Sequence, residues 1–189
     1  MKEKIITVRN LLFTFVIYAI IGWVFEELIF LVEDRIFVNR GVLFGPWLPI
    51  YGFGGLIIVK LLKKIKEKER YIKNINIRPL LLIIYITIVS ATVELISTYV
   101  ISFTGGDFKT LWDYSEHLLN FQGRIALWPA IRFGLLGTTI LYLGEPKLDE
   151  FKNSKNEKTK WIVMLATILL FILDIILRIF FGCNYNGPV

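Results

Sequence analysis

The sequence predicts an all-α integral membrane protein, a single domain over 1–189 built as a bundle of five membrane-spanning helices. Three observations predict this. Apolar residues make up 55% of the chain, and the mean hydropathy of +0.60 is high for a soluble domain. They gather into runs of about 20, the length that crosses roughly 30 Å of hydrocarbon. Lysine and arginine concentrate in alternate connections, as they do when cytoplasmic loops retain positive charge.

The first span is residues 11–32, after a short basic lead holding Lys2, Lys4 and Arg9. It is too long for a signal peptide, and no small-residue cleavage site follows it. The second span, 46–62, is broken in its first turns by Pro46 and Pro49. The third, 79–103, opens on Pro79, a residue suited to a first helical turn. The fourth is 124–143 and the fifth 161–181. The connection 60–78 carries eight basic and two acidic residues, and 144–160 is lysine-rich, so both are expected to be cytoplasmic. The connections 33–44 and 104–122 are mixed in sign and are expected outside, which puts the amino terminus in the cytoplasm. The formal charge of +6 is thereby a topology signal, and no nucleic-acid partner is expected. The 60–78 run is a solvated loop or a docking surface for a cytoplasmic partner or anionic lipid.

Residues 39–55, N-R-G-V-L-F-G-P-W-L-P-I-Y-G-F-G-G, hold five glycines and two prolines at the entrance to an apolar span. A looser version returns at 120–137, N-F-Q-G-R-I-A-L-W-P-A-I-R-F-G-L-L-G. Freed backbone groups in lipid must be buried in protein or line a wet cavity. Paired interrupted segments are therefore the best sequence pointer to a binding site in a membrane protein. Spans one and two would match spans three and four as a parallel two-helix repeat, each unit with a carboxylate late in its first helix, Glu26 or Glu94.

Ionisable residues inside spans are costly and face the bundle interior. Thr14, Tyr18, Gly22 and Glu26 recur every fourth residue; Thr87, Ser90, Glu94, Ser97 and Thr98 share one face; Arg124, Trp128 and Arg132 share another. These stripes predict an outward-opening polar cavity lined by Glu26, Glu94 and Arg132. Asp174 and Arg178, four apart, are expected to form a structural intrahelical ion pair. Arg132 is expected to neutralise Glu94 or Glu26, and Arg124 to snorkel. The tryptophans partly form an interfacial belt.

The single Cys183 and single His117 exclude a disulfide, a CxxC site and multi-histidine metal centres. No G-x-x-x-x-G-K-[ST] and no G-x-S-x-G occurs, so the chain carries no P-loop ATPase and no nucleophile elbow. Glu26-Glu27 lacks the arginine of an EExxxR protease signature, because Leu31 stands in its place. No catalytic residue, metal or cofactor is assigned.

The blocks G-W-V-F-E-E at 22–27, N-R-G-V-L-F-G-P-W-L-P-I-Y-G at 39–52, V-E-L at 93–95 and W-D-Y-S…N-F-Q-G-R-I at 112–125 resemble the putative ABC-transporter type IV (CmpB-like) family. Its members are small multi-pass membrane proteins, frequent in low-GC Gram-positive bacteria. The resemblance covers residues 15–137; the fifth span lies beyond it. It implies a permease subunit in a bacterial plasma membrane, working with a separate ATP-binding subunit. On matching positions it marks Glu26, Asn39, Arg40, Gly41, Gly45, Pro46, Pro49, Tyr51, Gly52, Glu94, Trp112, Asp113, Tyr114, Ser115, Asn120, Gly123 and Arg124. The first functional expectation is thus a transport subunit for a polar or zwitterionic solute. The alternatives are an intramembrane enzyme on a lipid-linked substrate, with Glu26 or Glu94 as base, and a non-transporting scaffold or regulator. Five spans make an incomplete path, so a homodimer or second membrane subunit is expected, with membrane lipid around it.

Overall fold

The computed structural model describes residues 2–33, 35, 37, 43–67, 70–72, 75–110, 112–154 and 156–181. Helices dominate: α1 (Lys2–Glu33), α2 (Pro49–Glu67), α3 (Arg78–Phe103), α4 (Leu127–Thr139), α5 (Glu145–Lys152) and α6 (Glu157–Phe181). Two short antiparallel hairpins interrupt them. Strand β1 (Tyr71–Ile72) pairs with β2 (Ile75–Asn76), Ile72 opposite Ile75, and β3 (Asn120–Phe121) pairs with β4 (Ile125–Ala126), Phe121 opposite Ile125.

Four helical stretches are long and apolar enough to cross a membrane: Lys4–Val32, Arg78–Phe103, Leu127–Lys152 and Glu157–Phe181. Between 17% and 33% of each is buried within the protein, so most of their leucine and isoleucine surface is left for lipid to cover. The expected span 46–62 differs. Its helix begins only at Pro49 and meets Lys60 after eleven residues. At 1.5 Å per residue that apolar piece covers roughly 16 Å, well short of a bilayer.

The 144–160 connection also differs from a plain loop. The chain continues from α4 through a π-helical turn (Ile140–Gly144) into α5. Pro146 is no obstacle there, because it stands in the first turn of α5 and wider π hydrogen bonding precedes it.

The chain packs as two compact units, Met1–Leu56 with Leu148–Val189, and Ile57–Lys147; the division falls within α2 and within α5. In the first, α1 packs on α6. Phe15, Val16, Ala19, Leu43 and Trp47 form one buried cluster, edged by Phe171 and Ile175. Phe13, Met164 and Ile168 form another. Two glycines one turn apart let the start of α2 lie against α1: a Cβ on Gly52 would meet the Phe15 ring, and one on Gly55 the Tyr18 ring.

In the second unit α3 packs closely along α4. A Cβ on Gly134 would collide with Thr87 Oγ1 and the Ile83 carbonyl, and one on Gly137 with Ile86. Small residues at such a crossing let helix backbones approach where lipid offers no hydrophobic drive. Ile58, Leu62, Leu82, Ile86 and Leu141 form the buried centre.

Candidate functional site

In the first unit the polar centre is Asp174, buried on α6 at 7% exposure. Residues 43–48 run non-helically into α2, and their free backbone N–H groups need acceptors. Asp174 supplies them. Its Oδ1 accepts from the Phe44 N–H at 3.1 Å; its Oδ2 accepts from the Gly45 N–H at 2.8 Å and from the Trp47 indole. The Leu48 N–H donates to the Ala19 carbonyl of α1 at 3.0 Å. Gly45 is required because a Cβ there would enter the Trp47 ring.

This arrangement replaces the expected Asp174–Arg178 pair. No ion pair links the two among the described residues; the Arg178 guanidinium instead lies over the Phe44 ring, 4.8 Å from its centre. One turn after Pro49 opens α2, the Tyr51 hydroxyl donates to Glu26 Oε1 of α1, with Gly22 beneath the tyrosine ring. Pro46 lies inside the irregular segment. Asn39, Arg40 and Gly41 lie outside the described residues.

In the second unit Glu94 is buried on α3 at 5% exposure, and its Oε1 accepts from the Tyr114 hydroxyl at 2.8 Å. Tyr114 belongs to a loop that ties itself together. Its N–H donates to the Gly123 carbonyl, and the Trp112 indole donates to the Arg124 carbonyl at 3.1 Å. The Asn120 amide donates to the Ser115 and His117 carbonyls and accepts from the Gly123 N–H at 3.0 Å. Asp113 accepts from the Ser115 N–H at 2.9 Å and from its hydroxyl, and pairs with Lys109 at 3.1 Å. The Ser115 hydroxyl and N–H, then Lys109, hold the exposed Asp113 carboxyl below its ordinary value. Gly123 takes a positive φ of 68° where the turn needs it.

Arg124 is sandwiched, its guanidinium 4.5 Å from the Tyr99 ring centre and 4.3 Å from that of Phe108, with a bond to Ser102 Oγ at 3.2 Å. It therefore pins the loop to the end of α3, which a snorkelling side chain would not do. Arg132 lies over the Trp128 ring at 5.3 Å.

The expected site residues therefore fall into two groups. Glu26, Pro46, Pro49, Tyr51, Asp174 and Arg178 belong to the first unit, and Glu94, Trp112, Asp113, Tyr114, Asn120, Arg124 and Arg132 to the second. Sequence reasoning missed Trp47 as a donor to Asp174, because the two are 127 positions apart and nothing in the sequence links them. It also missed that Glu26 and Glu94 would each meet a tyrosine. Among the described residues no three His, Cys, Asp or Glu side chains are grouped to hold a metal ion.

The family described as putative ABC-transporter type IV matches residues 13–179 of this chain. The chain belongs to that family. No curated protein and no solved structure matches it. The match to the type IV family runs past the 15–137 blocks and takes in α6, so Asp174 and Arg178 lie within the family region together with Glu26 and Glu94.

Proposed function

We propose that this type IV family member is the membrane-spanning, permease-like subunit of an ABC-type transporter, energised by a separate ATP-binding subunit. Its family supports the reading, as do its four long apolar helices. The observation that carries it is the Tyr114–Glu94 bond: a buried carboxylate on an apolar helix whose partner comes from a connecting loop. A polar or zwitterionic solute with a cationic or hydroxyl donor could take the place of the tyrosine hydroxyl, and the loop would move with it. The chain itself hydrolyses no ATP in this scheme.

The topology we propose has five crossings in a bacterial plasma membrane, with the amino terminus and the 60–78 and 144–160 segments cytoplasmic. Residues 43–48 and α2 together make the second crossing. Irregular backbone is tolerated at that depth only where it is satisfied by protein. Asp174 and the Ala19 carbonyl supply that satisfaction for Phe44, Gly45 and Leu48. A second copy or a second membrane subunit completes the path.

The test is purification from native membranes in gentle detergent, with co-purifying proteins identified, followed by solute flux with Glu94→Gln. A P-loop ATPase that comes down with the chain, together with a folded Glu94→Gln protein that has lost flux, supports the reading. A chain that purifies alone, or a Glu94→Gln protein with full flux, sinks it. A second reading, a non-transporting scaffold, is favoured by Asp174, whose three donors all come from the chain itself. It requires that substitutions at Glu94 act only through lost stability.

A further inference from the structure

The basic end of the second unit carries groups that the transport reading does not use. Arg78, the first residue of α3, donates from Nη1 to the Lys66 carbonyl at 2.8 Å, which brings the end of α2 beside the start of α3. Lys66 Nζ reaches the Leu141 carbonyl in the π-helical turn. Both cations gather on one phenol: Lys66 Nζ lies 5.3 Å, and the Arg78 guanidinium carbon 5.9 Å, from the centre of the Tyr142 ring. The Tyr142 hydroxyl and Arg78 Nε are buried and have no hydrogen-bond partner. A buried donor left unpaired is costly, so two around one ring point to an acceptor that belongs there. Glu145, the buried carboxylate one turn on, has an interaction of its own.

The hairpin that joins α2 to α3 indicates where the acceptor comes from. It is tied down by the Ile77 N–H on the Arg70 carbonyl and by Asn76 Oδ1 on the Arg78 N–H. Yet it holds Tyr71, Ile72 and Ile75 outward at 56%, 58% and 69% exposure. Strands that present apolar side chains beside Arg70 and Arg78, at the end of a membrane-crossing helix, suit the boundary between headgroups and acyl chains.

We propose that Lys66, Arg78 and Tyr142 form a headgroup site for an anionic phospholipid. The two cations and the phenol hydroxyl bind the phosphate, and Tyr71, Ile72 and Ile75 enter the adjoining acyl region. The π-helical turn fits this role, because local widening of a helix is frequent at binding sites and here presents the Leu141 carbonyl to Lys66. The site stands independently of the transport reading.

The test titrates the purified full chain in detergent with phosphatidylglycerol, phosphatidylcholine and inorganic phosphate, reading retained ligand by native mass spectrometry and folding by thermal unfolding. Phosphatidylglycerol is expected to be retained and phosphatidylcholine not. Lys66→Met with Arg78→Gln should weaken retention about tenfold or more, at about 1 kcal/mol for each cation near the surface. Tyr142→Phe should weaken it a few-fold, and Ile72→Asp with Ile75→Asp should weaken lipid retention at exposed positions that do not carry the fold. If the double charge variant does not fold, Tyr142→Phe and the hairpin variant carry the test. Equal retention of phosphatidylcholine, or unchanged phosphatidylglycerol retention in folded variants, overturns the proposal. Displacement of the lipid by millimolar inorganic phosphate would make the ligand a soluble phosphate, which also overturns it.

Discussion

Each unit sets a glutamate on a long apolar helix and gives it a tyrosine hydroxyl, but of Glu26 and Glu94 only Glu94 is fully buried, and the two tyrosines are held in different ways. Tyr51 sits in the first turns of α2, braced over Gly22, on an entry segment fixed by Asp174. Tyr114 hangs in a loop stabilised by its own side chains, with Arg124 pinning that loop to α3. The first centre borrows its rigidity from a distant helix; the second makes its own from residues close in sequence. The difference teaches that one chemical pairing can be built from tertiary or from local order. Under the proposed function, it also separates the pair open to displacement by a solute, Tyr114–Glu94, from the pair braced by the α2 entry, Tyr51–Glu26.

The strongest way to break the contrast is Asp174→Ala. It strands two backbone N–H groups and an indole, at about 1–3 kcal/mol each, so a loss of about 3 kcal/mol or more is expected in detergent unfolding. Faster hydrogen exchange at Phe44 and Gly45 should accompany it while the 112–126 loop is unaffected. A stable variant with slow exchange at those amides would mean that the entry segment does not depend on α6.

Next in size is a pair of glycine substitutions. Gly134→Ala pushes a methyl against the Ile83 carbonyl, which cannot rotate away, and should cost about 1–3 kcal/mol. Gly54→Ala meets nothing within 4 Å and should gain about 0.5–1 kcal/mol through helix propensity. Equal effects on the unfolding temperature would refute the close crossing of α3 and α4.

Tyr51→Phe and Tyr114→Phe sharpen the contrast directly. Each should cost about 1 kcal/mol by removing one hydrogen bond. Only Tyr114→Phe is expected to loosen its surroundings, seen as faster exchange across 112–123. If Tyr51→Phe loosens residues 43–52 as much, the two centres are equivalent after all.

The smallest effect is a pH dependence confined to the second loop. The Asp113 carboxyl is lowered in the folded chain, so its contribution is present above its ordinary value near 3.8 and is lost as pH falls through the lowered one. Exchange of the Ser115 amide should quicken below about pH 4 in the native chain, and Asp113→Asn should abolish that dependence. A pH step that survives the substitution would assign it to another group.

Much of this was legible in the sequence. Long apolar runs and alternating basic connections predict membrane helices because length and transfer free energy act on each segment alone. The Asn120, Asp113 and Gly123 turn was also within reach, since its bonds span few residues and its residue types favour turns. The shape of the second expected span was not legible, because Pro46 and Pro49 mark a break without revealing its length, and Lys60 shortens the apolar helix. Asp174 was paired with Arg178 because helical spacing counts only neighbours on the same helix. Its actual donors lie about 130 positions away in sequence.

By itself, then, the sequence determined the membrane class, the long apolar helices and the presence within them of the carboxylates Glu26, Glu94 and Asp174. Those follow from composition and periodicity along a single segment. Only the tertiary structure decided which donor satisfies each carboxylate, because in an apolar interior every polar group must find a partner in space, and the partner's place in the chain is set by packing.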